Sequence, residues 1–400
     1  MSLVSREILA QITAAYAQGR LGTAVYSRVR PFLKGMKYVF YNPAASRVKL
    51  HCPSYCIPDK SEEKLVERIF AAFKKMKKDQ VSAARLYQPS SLWEAQLNKS
   101  YSYLLSGLEK NDIGKFHFFL ANFGVWKEYT GVEEGSLMQK YVLSGSLITR
   151  RYLQNEIFHN LFKLWEYCSI NKEVGCLERP NYGNLSGAYI DGVLVTVDSF
   201  FGEIYGSLLS GLLEPVQRPV IGEIGGGCAR LAYYTIRHRE SFAYVDFDLP
   251  EVLCLAAYYL MKAFPGKKTL LYGEEEYSPS AHLKYDLIFM PSYEIRKLSA
   301  CCIDLFINET SLGEMTQEAA ENYLQYISKS TKYFFHLNRD RSRNIYGDKT
   351  HGLLAHEYPI SRDKFILLYR HPDLKHLLFY GGKVDLKNDI FVYMYERIAS

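Results

Sequence analysis

The chain has 400 residues, 48% hydrophobic and 23% charged, with a net charge of +6. That make-up suits an ordinary globular protein of about two domains and excludes a disordered or fibrous chain. No apolar run reaches the roughly 18 residues of a transmembrane helix, and Arg6, Gln11, Gln18 and Arg20 interrupt the start where a secretory signal would be apolar, so a cytoplasmic location is expected.

Residues 3–35 carry apolar side chains at helical spacing, at Ile8, Ile12, Ala15 and Tyr16. Lys37–Cys52 alternates as strands do, until Pro53 and Pro58 break the chain. Ser61-Glu62-Glu63-Lys64 resembles a capping arrangement, and Leu65, Ile69, Phe70 and Phe73 share one face of the helix that follows. That helix ends in Lys74–Lys78 and Asp79. Residues 1–89 hold 16 Lys/Arg against 6 Asp/Glu, and the remainder 33 against 37. A basic N-terminal part can attract an anionic glycan, a nucleotide-linked sugar or an inner-membrane surface, or simply be a solvated helix face. A further helix is expected from Pro89-Ser90-Ser91 to about Leu108, and others over residues 112–124 and 136–169. Residues 1–175 therefore read as a mostly helical module with a small strand element, and residues 176–400 as a second domain.

In that second part, Gly187–Val197 alternates as a hairpin turning at Asp191-Gly192, and Asp198–Leu213 reads as a helix. Val220–Ile224 is a short apolar run ending at a triple glycine, Gly225, Gly226 and Gly227. A helical stretch, a second apolar run and two acids, Asp246 and Asp248, follow. Pro250 opens a helix that stops at Pro265-Gly266. Strands are expected at Thr269–Tyr272, Tyr285–Pro291, Ile303–Asn308 and Tyr333–Asn338, with a helix over residues 316–329. Phe365–Tyr369, Leu377–Tyr380 and Ile390–Tyr395 suit a closing, antiparallel edge. The alternation predicts an α/β fold: a Rossmann-like, largely parallel sheet with helices on both faces. The eight cysteines form no CxxC pair, and free thiols are expected. The 33 tyrosines come without an RNA-binding or helix-turn-helix signature, so nucleic acid is not an expected partner.

Strand, glycine loop, helix, strand, acid is how such a sheet binds an adenosine-bearing cofactor. A dinucleotide loop needs a small residue three places after its second glycine, and that place holds Arg230. The pattern acid, any, Gly, any, Gly, any, Gly matches instead, from Glu223 onward, except that Ala229 replaces the last glycine. S-adenosylmethionine has no pyrophosphate, so Glu223 is a candidate for its amino-acid end. Asp246, 19 residues after Gly227, is a candidate for the ribose hydroxyls, and Asp248 is the next. Pro291 and Ser292, at another strand end, are candidates for the pocket wall.

Several strings narrow the reading: GEIGGG, VDFDLPEVL, IDLFINETSLGEM and YFFHLNR, with SSLWEAQL, FFLANFGVW and GNLSGAYIDG upstream. Over roughly residues 90–340 the chain resembles the sugar O-methyltransferases of bacterial surface-glycan clusters. The resemblance implies a class I Rossmann-like methyltransferase domain that uses S-adenosylmethionine on a sugar hydroxyl. A free saccharide or a lipid- or nucleotide-linked sugar would be the acceptor. A small-molecule or N-methyltransferase, and a non-catalytic cofactor-fold protein, are the alternatives.

A sugar hydroxyl is a weak nucleophile, so a general base is expected. Ligands of open α/β sheets sit beyond the carboxyl ends of the strands. Asn308, Glu309 and Glu314 follow one such strand, and His336 and Asn338 end the next. His336 and Glu309 are the base candidates, with Glu314 behind them. His351, His356 and Glu357 lie in a glycine-bearing loop suited to a lid. No metal ligand set is predicted, although a divalent ion is the known alternative for activating such hydroxyls.

Overall fold

The computed structural model describes residues 33, 35–36, 47–131, 147–347, 349–378 and 388–398. Most of the expected helix at residues 3–35, the first part of the strand region at Lys37–Cys52, and residues 136–146 lie outside them.

The larger sheet has eight strands: β4 (Val220–Ile224), β5 (Ala243–Asp248), β6 (Thr269–Leu271), β7 (Leu287–Pro291), β8 (Ile303–Glu309), β9 (Thr331–Arg339), β10 (Phe365–Pro372) and β11 (Ile390–Arg397). Their order is β10-β11-β9-β8-β4-β5-β7-β6. β4 to β9 are parallel, while β11 is antiparallel to both β9 and β10. From β4 the chain winds outward through β5, then returns to β8 on the opposite side of β4. The strand order therefore reverses at β4, and the crevice between the ends of β4 and β8 is the topological switch point, where ligands of such sheets bind.

A second sheet is formed by β1 (Val48–His51), β2 (Gly187–Ile190) and β3 (Val193–Val195). β2 and β3 turn at Asp191 (φ 50°) and Gly192 (φ 89°), the paired left-handed residues of a type I′ hairpin. β1 pairs with β2, so the chain near residue 50 is stitched to the segment just before the large sheet.

Helices cover both faces of the large sheet. α1 (Glu63–Gln80) packs on α9 (Pro250–Ala263). Lys77 meets Glu251 at 2.8 Å across this contact, and Lys262 pairs with Glu62. α2 (Ser91–Ser100), α3 (Ser102–Glu109) and α4 (Ile113–Asn122) follow in the N-terminal part. α5 (Leu147–Tyr152) runs through π turns at Leu153–His159 into α6 (Asn160–Cys168). α7 (Ser199–Leu212) lies against α8 (Arg230–Ile236). The approach is close because Gly202 and Gly206 face Tyr234, where a Cβ would come within 2.6 and 2.5 Å. α10 (Gln317–Ser330) covers the opposite face, where Tyr323 and Leu324 pack with Phe306 and Phe334.

Three local expectations are corrected. The helix expected from Ser91 to Leu108 breaks at Tyr101, which caps α2 and starts α3. The turn before α1 is capped by Asp59, whose side chain accepts from Ser61 N at 2.9 Å; Ser61 is not the cap. Leu377 and Leu378 belong to a short helix, α11 (Leu374–Leu378), rather than a strand, while Phe379 and Tyr380 lie outside the described residues. Asp373, one residue before, caps that turn.

Candidate functional site

A cavity of about 1160 Å³ opens at the switch point. Its floor is the glycine loop and the ends of β5 and β8. Residues Arg85–Glu94, from the turn before α2 and its first turn, form a wall, and the 346–351 loop forms another. The volume exceeds that of most single-ligand pockets.

The glycine loop is shaped to take a ligand close to its backbone. Gly225 (φ 72°) and Gly227 (φ 66°) are left-handed, and so is Ala229 (φ 54°), the residue that departs from the pattern. A Cβ on Gly226 would stand 2.8 Å from both Asp246 oxygens, and one on Gly225 would stand 2.2 Å from Ser311 Oγ. Gly226 N donates to Asp246 Oδ1 at 3.3 Å, and Gly227 N donates to Asp248 Oδ2 at 3.1 Å. Both acids therefore brace the loop, but they differ in position. Asp248 lines the cavity and also accepts from Leu249 N at 2.7 Å. Asp246 is fully buried beneath the loop, and its Oδ2 has no hydrogen-bond partner among the described residues. Burial, with Asp248 and Glu223 nearby, holds its carboxyl well above the usual range. Burial also raises Asp248 to about 7, against the two backbone N–H bonds that favour its charged form.

Glu223 is not at the cavity wall. It is 1% exposed, accepts from the Tyr244 hydroxyl at 2.6 Å, and is pushed by burial to about 8. Ser292 lines the cavity, whereas Pro291 is buried at the end of β7, paired in register with Asp248.

On the other side of the cavity, Glu309 ends β8 and pairs with Arg230, whose second nitrogen reaches Asp198 at 2.9 Å. Lys375 completes this chain of charges, 2.5 Å from Asp198. Glu314 also lines the cavity. Its Oε2 accepts from the Trp93 indole at 2.8 Å, its backbone oxygen accepts from Ser90 Oγ at 2.9 Å, and burial raises its carboxyl. Asn308 and Asn338 are buried braces. Asn338 Nδ2 donates to Asn308 Oδ1 at 2.7 Å, Asn308 Nδ2 donates to Ile224 O at 2.8 Å, and Gly313 N donates to Asn338 Oδ1 at 3.0 Å.

His336 does not reach this cavity, which corrects its candidacy as a base. It points into the sheet's packing, fully buried, its ring stacked on Tyr393 at 4.9 Å and near Phe334, Tyr358 and Tyr395. Burial lowers it to about 3, so it is a neutral core histidine. His356 and Glu357 are likewise tied elsewhere, to Asp340 and Arg343, and of the three candidates only His351 lines the cavity. Among the described residues no group of three or more His, Cys, Asp or Glu could hold a metal ion.

The structure also gives site roles to residues for which the sequence proposed none. Trp93 fixes Glu314 from a helix more than 200 residues away, and Arg230 pairs with Glu309. Lys375 and His376 enter from α11, just ahead of the Leu377–Tyr380 segment that reads as a strand in sequence. Only SSLWEAQL carried a signal for any of them.

No protein-family model and no curated protein sequence matches the chain. Among solved structures it is similar to the mitomycin 7-O-methyltransferase, at 10% identity over 50% of this chain and 57% of that one, with a TM-score of 0.30. It is similar to a TehB-like S-adenosylmethionine-dependent methyltransferase from Corynebacterium glutamicum, at 11% over 48% and 88%, TM-score 0.31. A third is the magnesium protoporphyrin IX methyltransferase of Synechocystis PCC 6803 with bound S-adenosylhomocysteine, at 11% over 50% and 85%, TM-score 0.33. The chain thus spans little more than half of the first of these. Its own strand order, glycine loop and switch-point cavity make it a Rossmann-like α/β fold.

Proposed function

We propose that the protein is an S-adenosylmethionine-dependent O-methyltransferase acting on a sugar hydroxyl of a glycan or glycan precursor. What supports this is a switch-point cavity lined by the glycine loop and Asp248, which we assign to the cofactor, and by Glu309, Glu314 and Trp93, which we assign to the acceptor. The cradle suits an adenosine-bearing ligand because glycine backbone lines the cavity there and because Asp248 presents a carboxylate where a ribose diol would donate. The cofactor would supply an activated methyl group.

The chain's own residues do the rest. Asp248 holds the ribose, and Asp246 keeps the loop in place from beneath. Ser292, with Pro291 behind it, bounds the base. Glu314, with Oε2 occupied by Trp93, offers Oε1 to an acceptor hydroxyl, which aligns the oxygen for in-line transfer. Glu309 is neutralised by Arg230 and serves the same wall. Trp93, Tyr129 and Tyr346 also line the cavity, a lining suited to stacking on a sugar ring. The same lining suits a planar small molecule, which is the second reading. A lipid- or nucleotide-linked acceptor, peripheral contact with an inner membrane through the basic N-terminal part, and a division at residues 175/176 belong to the same proposal.

Transfer of labelled methyl groups to a panel of methyl glycosides, nucleotide sugars and phenolic acceptors tests it. Label in glycosides supports the sugar reading; label only in phenols would replace it with the second.

A further inference from the structure

His376 lines the cavity, and its imidazole Nδ1 lies 2.5 Å from Asp373 Oδ2. Asp373 is 1% exposed and is held on its far side by the Tyr205 hydroxyl, which donates to Oδ1 at 2.8 Å. It also caps the turn, accepting from His376 N at 3.0 Å, so ring and carboxylate are fixed to the same few atoms of backbone. Burial pushes the Asp373 carboxyl up, but the His376 contacts and Tyr205 outweigh it and keep it charged, below the usual range. A carboxylate can only accept. The imidazole must therefore present Nδ1–H to Asp373, which leaves Nε2 with a bare lone pair when the ring is neutral.

The turn that carries His376 is anchored to the cofactor loop. The neighbouring Lys375 binds Asp198, Asp198 binds Arg230, and Arg230 binds Glu309 beside the glycines. The titratable and charged groups tied to this turn are Asp373 and Tyr205, and, through Lys375, Asp198, Arg230 and Glu309.

We infer that His376, oriented by the buried Asp373, is the general base for the acceptor hydroxyl. This rests on the methyltransferase reading. In the step, the acceptor oxygen forms its bond to the methyl carbon as the carbon–sulfur bond breaks. The bonding pair stays on sulfur, giving S-adenosylhomocysteine, and the hydroxyl proton passes to His376 Nε2. Glu314 then binds the acceptor rather than deprotonating it, and Asp373 is a positioning residue.

The test uses the full chain labelled with ¹⁵N-histidine, with S-adenosylhomocysteine present. NMR should show His376 as the Nδ1–H tautomer, and Asp373→Asn should move it toward Nε2–H. An Nε2–H ring in the wild type would overturn the inference. With labelled S-adenosylmethionine and the best methyl glycoside or nucleotide sugar, His376→Gln should lower the transfer rate about 10²- to 10⁴-fold. Affinity for S-adenosylhomocysteine should stay within about twofold, and the decline of rate on acidification should disappear. A wild-type rate in His376→Gln would also overturn it. Failure of the wild type to bind S-adenosylhomocysteine would instead sink the methyltransferase reading and leave the tautomer result standing.

Discussion

Single residues in this cavity divide by what they touch. Asp248 reaches the cavity, while Asp246 braces the loop from below and Glu223 is tied to Tyr244, although the sequence placed Asp246 before Asp248 for the ribose and Glu223 at the cofactor's amino-acid end. Asp248→Ala should weaken S-adenosylhomocysteine binding about 10- to 100-fold, the worth of one or two hydrogen bonds to a charged group, as calorimetry would read it. Glu314→Gln should leave that affinity intact and raise the KM for the acceptor, because only the acceptor wall changes. An unchanged KM would remove Glu314 from the acceptor wall. Spacing marked the acids after β4 and β5 because cofactor loops impose it. It misplaced His336 because strand residues alternate between faces, and a histidine at a strand end looks the same whether it faces solvent or stacks in a core.

At the scale of elements, β4, the loop and β5 were legible because apolar runs, glycines and acids recur there at fixed distances. The hairpin at Asp191-Gly192 was legible for the same kind of reason: its turn type demands left-handed residues. α11 was not, because Leu377-Leu378 is as apolar as a strand and the deciding feature is the Asp373 cap. The loop's geometry makes a sharp prediction. Gly226→Ala would press a methyl group against Asp246, so it should lower S-adenosylhomocysteine affinity at least about tenfold while the thermal transition shifts by only a few degrees. A variant that binds as well as wild type would show that the loop does not approach the ligand as described.

For the whole molecule, the N-terminal helices pack directly on the sheet domain. Val66, Phe73 and Phe116 share a hydrophobic cluster with Leu253, Tyr258 and Leu287, and the 85–94 segment walls the cavity. A chain starting at residue 176 should lose cooperative thermal unfolding, which circular dichroism would show. The buried acids also set a pH dependence. Glu223, Asp246 and Asp248 have folded values raised above their unfolded ones, to about 8 for Glu223 and about 7 for Asp248. Their native state holds protons that the unfolded state releases, so stability from these groups is full below the unfolded values and is lost as pH rises through about 7 and 8. Asp198, Asp340 and Asp373, whose values are lowered, act in the opposite sense and cost stability only as the solution becomes acidic. The melting temperature of the cofactor-free protein should therefore fall between about pH 5 and pH 8, and Asp248→Asn should flatten that slope. Calorimetric titration with S-adenosylhomocysteine against NAD shows whether this cavity holds S-adenosylmethionine. Micromolar binding of the former alone, weakened by Asp248→Ala, is expected. No binding, or a preference for NAD, would contradict it.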